Sequence, residues 1–196
     1  MSDLSVETLL SFLNKIEKLK SVPRHCVTAD GIQENVAAHS WRTAVTAFLI
    51  RDEFPDVDMD RVIKMCLIHD IGEAVTGDIP TFEKTGEHEA AEKQAINELL
   101  RILPDSLYRE LSAMFAEMDA LETKEARVYK ALDKLEAVIQ HNESDIGTWL
   151  PLEYELQQTY AAKSVQGLPF LECLQDACVK ETKRKIAEEA LPETKP

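Results

Sequence analysis

Glycine and proline are scarce, six and eight in 196 residues. A fold of many strands joined by tight turns is thereby disfavoured, because these two residues set most such turns. Basic residues are also short. Lys and Arg total 22 against 36 Asp and Glu, a formal net charge of −14. Nucleic-acid polymers and anionic membranes are held by clustered cations, so neither is expected as a partner. A small phosphorylated ligand held by a few local cations stays compatible with this balance. No apolar run approaches the roughly 18 residues that would span a bilayer. The start, Met1-Ser2-Asp3-Leu4, lacks the basic and apolar regions of a secretory signal. The four cysteines, Cys26, Cys66, Cys173 and Cys178, have no zinc-type spacing. Reduced thiols in a cytoplasmic protein are the expectation. P-loop, nucleophile-elbow and Rossmann glycine patterns are likewise missing.

What is abundant is helical periodicity. The length and a 44% apolar content suit one compact domain over residues 1–196. Leu4, Leu9, Leu10, Leu13, Ile16 and Leu19 form an apolar stripe that ends before Pro23. Further helices are expected over residues 35–54, 58–71, 85–103, 105–118 and 123–143, with a loop over 73–84 broken by Gly77 and Pro80. One or two more helices follow residue 144, and the last residues, 191–196, read as a frayed tail. The fold class expected is all-α.

Two of these helices are short of charge. Arg42 is the only charged side chain from Asn35 to Ile50, and Lys64 the only one from Val62 to Ile68. Helices apolar nearly all round belong in a core, yet the first carries His39 and the second runs into His69-Asp70. A buried carboxylate must be hydrogen-bonded, paired or metal-bound. In the 123–143 helix, Val128, Leu132, Leu135 and Ile139 make the core stripe and Asp133 sits at its edge, with the small residues Ala126 and Ala137 on the same side.

His39, His69, Asp70 and Asp133 thus offer two imidazoles and two carboxylates in apolar helical settings. Such a set suits one divalent ion of the Mn, Co, Fe, Ni or Zn class in an open, catalytic site. Adjacent His69 and Asp70 cannot share a helical face, so a common ion would sit at the helix end. The competing reading is a set of hydrogen-bonded packing residues. Glu73, three residues after Asp70, is a candidate general acid/base or an ordinary exposed loop residue. Asp78, in Gly77-Asp78-Ile79-Pro80, is a candidate for orienting water or a substrate hydroxyl, or simple turn chemistry. Arg24 and Lys84 are the candidate phosphate-binding cations.

The blocks Val22-Pro23-Arg24, Glu34-Asn35-Val36-Ala37-Ala38-His39-Ser40-Trp41-Arg42, Ile68-His69-Asp70-Ile71-Gly72-Glu73, Thr76-Gly77-Asp78-Ile79-Pro80 and Leu132-Asp133-Lys134 resemble the HD-domain phosphohydrolases, in particular their small 5′-deoxynucleotidase branch. The resemblance covers about residues 5–165, leaving a C-terminal helical extension over about 166–190. It implies an HD-domain helical bundle and metal-dependent release of phosphate from deoxyribonucleoside 5′-monophosphates. It further implies metal ligation by His39, His69, Asp70 and Asp133, catalysis by Glu73 and Asp78, and substrate binding by Arg24, His25 and Lys84. His25 is a departure: some branch members carry Trp after the arginine, which bears on sugar and base preference. His88 is the only histidine between the HD pair and Asp133, which favours one metal over two; a solvated helix face is the plainer reading for it, and a structural or surface role for His141. Similar proteins are commonly homodimers, and Trp149, Leu150 and Phe170 would serve either an interface or the core. The alternatives on the same metal core are a nucleotide pyrophosphatase or a phosphodiesterase. A non-catalytic metal- or nucleotide-binding module is the alternative of a different class.

Overall fold

A computed structural model describes residues 3–190; the frayed tail expected over 191–196 lies outside the described residues. Helices α1 (Val6–Ile16), α2 (Val36–Leu49), α3 (Met59–Ile68), α4 (Glu73–Thr76), α5 (Gly86–Leu100), α6 (Asp105–Ala120), α7 (Lys124–Glu143), α8 (Glu153–Thr159) and α9 (Pro169–Glu189) make an all-α bundle. Most start where side-chain oxygens meet the free N–H groups of the first turn. Ser5, Asn35, Asp58 and Thr123 each accept from the backbone N–H three residues on, at 2.9–3.1 Å. Thr85 and His88 close a reciprocal capping box on α5. His88 is therefore a half-buried capping residue, not part of a solvated face.

Helix α7 is the central element, packed against α2, α3, α6 and α9. Val128, Leu132 and Leu135 enter the main core with Met65, Cys66, Met114 and Leu171. The stripe drifts by one residue at its end: Val138 is fully buried and Ile139 only half-buried. A second apolar cluster joins Leu19, Val22, Val36, Ile71 and Leu100.

Four features differ from the sequence expectation. A two-stranded antiparallel ribbon, β1 (Pro23–Val27) and β2 (Gln33–Asn35), precedes α2, with Pro23 opposite Asn35 and Val27 opposite Gln33. The expected 73–84 loop opens with the single-turn α4. Gly72, just before it, has no room for a side chain: a Cβ there would lie 2.8 Å from Ile96 Cγ1 and 3.2 Å from the Glu92 carbonyl oxygen. Its lack of one lets α4 sit against α5. The charge-poor helices are not apolar for burial alone. Trp41, Phe48 and Leu49 on α2 and Leu67 on α3 face outward. On α1, Leu9, Leu10 and Leu13 are exposed, and only Phe12 and Ile16 reach the second cluster. Among the described residues no helix is long and apolar enough to cross a membrane.

Candidate metal centre and active site

The Asn35 cap fixes the start of α2 so that His39, one turn in, points inward with no exposed surface. Helix α3 closes on His69, whose backbone N–H reaches Met65 O. The chain then turns, and Asp70 follows in that turn with its carbonyl accepting from Glu73 N at 3.0 Å. This is how neighbours that cannot share a helical face come to share a point. Asp133 reaches the same point from the middle of α7. His69 Nε2 lies 3.3 Å from His39 Nε2, 2.9 Å from Asp70 Oδ2 and 3.5 Å from Asp133 Oδ1. His39 Nε2 lies 3.2 Å from Asp133 Oδ1 and 3.9 Å from Asp70 Oδ2.

The outer bonds of the two imidazoles fix their tautomers. His69 Nδ1–H donates to Cys66 O at 2.9 Å, and His39 Nδ1–H donates to Glu136 Oε2. Both Nε2 lone pairs are thus aimed at each other and at two carboxylate oxygens. Four electron-rich atoms facing one point repel unless a positive charge lies among them. A divalent cation fits this donor set, and hydrogen bonding of each ligand's second nitrogen is the usual support of such a site. Burial alone would push the His69 imidazole down, but with no cation at the shared point Asp70 and Asp133 raise it to about 10, drawing onto Nε2 a proton that a bound cation would displace. Asp70 runs the other way: His69 and His39 hold it down at about 2 against the effect of burial.

Glu136 was not foreseen from sequence. It is buried between His39 and Arg42, accepting from Arg42 Nε at 2.7 Å with its second oxygen. Lys130 Nζ sits 2.7 Å from Asp133 Oδ2, leaving the other oxygen for the shared point.

Around this point the remaining candidates line one cleft. Arg24, from β1, donates to Glu34 Oε2 at 3.1 Å and lies 3.8 Å from Asp70 and 4.0 Å from Asp78. Glu73 is buried on α4, and its Oε2 has no hydrogen-bond partner. Burial, together with Asp70, Asp78 and Glu92, raises its carboxyl to about 10, so it carries a proton at neutral pH. The exposed-loop alternative for Glu73 is thereby replaced by a buried acid. Asp78 is also raised, chiefly by burial. It follows Gly77, whose φ of +77° is a glycine conformation. Lys84 lines the cleft and pairs with Glu92 at 2.5 Å.

The cleft continues along α7. His25 packs edge-on to Phe82, ring centroids 5.5 Å apart, and its Nε2 is 3.1 Å from Glu153 Oε1. His141 Nε2 is 2.8 Å from the same oxygen, and its Nδ1 faces Ala137 O at 3.1 Å and Cys26 Sγ at 3.2 Å. His141 is buried and lines the cleft, so it is not a surface residue. Trp149 is core, its Nε1–H donating to His141 O at 3.1 Å, while Leu150 and Phe170 sit at the margin of exposure.

Residues 16–170 match the family model described as HD domain. The 5′-deoxynucleotidase HDDC2 of Bos taurus is 33% identical over 147 residues, 73% of this chain and 71% of the relative. The Homo sapiens HDDC2 is 32% identical over 140 residues, 69% and 68% of the two chains. Among solved structures, a predicted metal-dependent phosphohydrolase from Magnetospirillum magnetotacticum MS-1 superposes with TM-score 0.80 at 33% identity, covering 92% of this chain and 96% of its own. The cyanophage S-2L HD phosphohydrolase DatZ, bound to dA and one catalytic Zn2+ ion, shares the fold with TM-score 0.53 at 22% identity, over 89% and 96% of the two chains.

Proposed function

The chain belongs to the HD domain family, and on that premise we propose that it is a metal-dependent phosphohydrolase releasing phosphate from deoxyribonucleoside 5′-monophosphates. The observation that carries this reading is the convergence of two imidazole lone pairs and two aspartate oxygens beside a buried, protonated Glu73. The HDDC2 relatives, named 5′-deoxynucleotidases, supply the reaction class.

His39, His69, Asp70 and Asp133 would hold one divalent ion. Bound there, it supplies Lewis-acid polarisation of the phosphoryl group and a water nucleophile available near neutral pH. The chain's own residues do the rest. Arg24, held by Glu34, presents its guanidinium to phosphate oxygens, with Lys84 as the second cation. Glu73 keeps its proton at neutral pH and gives it to the departing 5′-oxygen. Asp78, across Arg24 from Asp70, orients the attacking water or a sugar hydroxyl. His25 and Phe82 wall the nucleoside side of the cleft. The apolar residues left outside on α1 and α2, such as Leu10, Trp41 and Leu49, fit a homodimer in which a second copy covers them. Unpaired cysteines fit a cytoplasmic setting.

The test is phosphate release from all ribo- and deoxyribonucleoside monophosphates, with Mn, Co, Fe, Ni or Zn supplied in turn. Turnover of deoxy-AMP or its congeners, with little from the triphosphates, is expected. Preferential attack on triphosphates would favour a pyrophosphatase, and full metal loading without turnover would leave a binding module.

A further inference from the structure

On α2, His39 and Arg42 lie three residues apart; on α7, Asp133 and Glu136 do the same. Residues at that spacing share a helical face, and these two faces meet. His39 Nε2 stands 3.2 Å from Asp133 Oδ1, while its Nδ1–H donates to Glu136 Oε2. Arg42 Nε donates to Glu136 Oε1 at 2.7 Å, and Arg42 Nη1 reaches Glu143 further along α7. Glu136 is only 2% exposed, and each of its oxygens is taken by one of these two donors.

The other imidazole is supported differently. His69 Nδ1–H ends on the backbone carbonyl of Cys66, three residues back on its own helix. That acceptor is neutral, whereas Glu136 is a carboxylate. A charge-assisted bond is the stronger of the two, and it makes the opposite nitrogen a better donor of its lone pair. Arg42, from the same helix as His39, keeps the carboxylate from swinging away. Buried ion pairs contribute little net stability, so packing of α2 on α7 does not by itself account for a carboxylate at this depth.

We propose that Glu136, clamped by Arg42, is a positioning residue that makes His39 the firmer of the two imidazole ligands and sets the affinity of the centre for its cation. The inference rests on the metal site of the reading above. Glu136 touches neither cation nor substrate and acts through His39.

The experiment strips the full chain of metal and titrates it with Co2+ in the absence of nucleotide, following the Co2+ absorption bands. Glu136→Gln should raise the Kd roughly 10–100-fold, because an amide offers an acceptor to only one of its two donor neighbours. Glu136→Gln/Arg42→Gln gives that amide a neighbour with an acceptor of its own and should recover part of the loss. The rise in melting temperature that Co2+ brings separates positioning from packing. A purely structural role lowers the stripped and loaded forms alike, whereas weaker binding shrinks the rise. Arg42→Met, at a half-buried position, carries the test if neither glutamine variant folds; it opens one side of the clamp and should also weaken Co2+. An unchanged Kd and an unchanged Co2+-induced rise in the folded variants overturn the proposal. A parent chain that binds Co2+ but hydrolyses no deoxynucleotide overturns the nucleotidase reading alone, and one that binds no Co2+ overturns both.

Discussion

Two histidine–carboxylate clusters stand along one cleft, and they differ in how many carboxylates meet the imidazoles. At the candidate metal centre both Nδ1 protons are committed outward, to Cys66 O and Glu136, and two Nε2 atoms meet two carboxylates at one point, where a divalent cation would displace the proton that the carboxylates draw onto His69. At the other end, His141, His25 and Glu153 also lie within ligand distance of one another. There a single carboxylate oxygen faces two imidazoles that can each bring a proton. Cys26 and Glu153 raise His141 to about 10 in spite of its burial, so an imidazolium balances the single carboxylate without a metal. The same residue types thus fit a cation site or an ion pair, according to how many carboxylates share the imidazoles.

The largest effect that would break this contrast comes from Asp70→Ala. Bound metal, read by elemental analysis, should fall from about one per chain to a small fraction, and turnover by at least about a thousandfold. Stoichiometric metal in that variant would contradict the ligand set. Next comes Glu73→Gln, which leaves metal in place and lowers kcat by about 10²–10⁴. Its stability effect has a definite sign. A carboxyl raised from 4.5 to about 10 binds its proton more tightly in the folded chain. That contribution is complete below about pH 4.5 and is lost as the pH climbs through 10. The melting temperature of Glu73→Gln should therefore gain on the parent from pH 6 to pH 9; a widening deficit would refute the buried-acid assignment.

The smallest expected effect, and the sharpest on the comparison, is at the second cluster. His141→Gln should leave metal content unchanged while lowering the melting temperature by roughly 3–6 °C near pH 6. His141 is raised from 6.5 to about 10, so its contribution is fully present below pH 6.5 and disappears as pH passes 10. The gap between variant and parent should close toward alkaline pH in differential scanning calorimetry. Loss of metal in His141→Gln would instead make the second cluster a cation site.

The sequence displays what short blocks can encode. His69, Asp70 and Glu73 fall within five residues, and the charge-poor helices around His39 and His69 already mark carboxylates that need partners. Helix starts were equally readable, because a cap and the backbone N–H that donates to it are three residues apart. Glu136 was not readable: its meaning comes from His39, 97 residues earlier in the chain. Glu153 shares that difficulty, since an ordinary surface helix carries the same residue type and its partners His25 and His141 are far off in the chain. The β1–β2 ribbon escaped notice because only pairing across the chain, Pro23 with Asn35 and Val27 with Gln33, holds so short a strand in place. Periodicity on α1 announced an apolar face but not what covers it, and the exposed Leu9, Leu10 and Leu13 show that the bundle itself does not.

Gly72 has a consequence beyond local packing. Because the chain before α4 rests directly on Ile96 and Glu92, helix α5 acts as the anvil against which the buried acid Glu73 is set. A bulkier residue at position 96 would displace that acid from a distance, so under the proposed mechanism the reaction rate should respond to a helix that does not line the cleft.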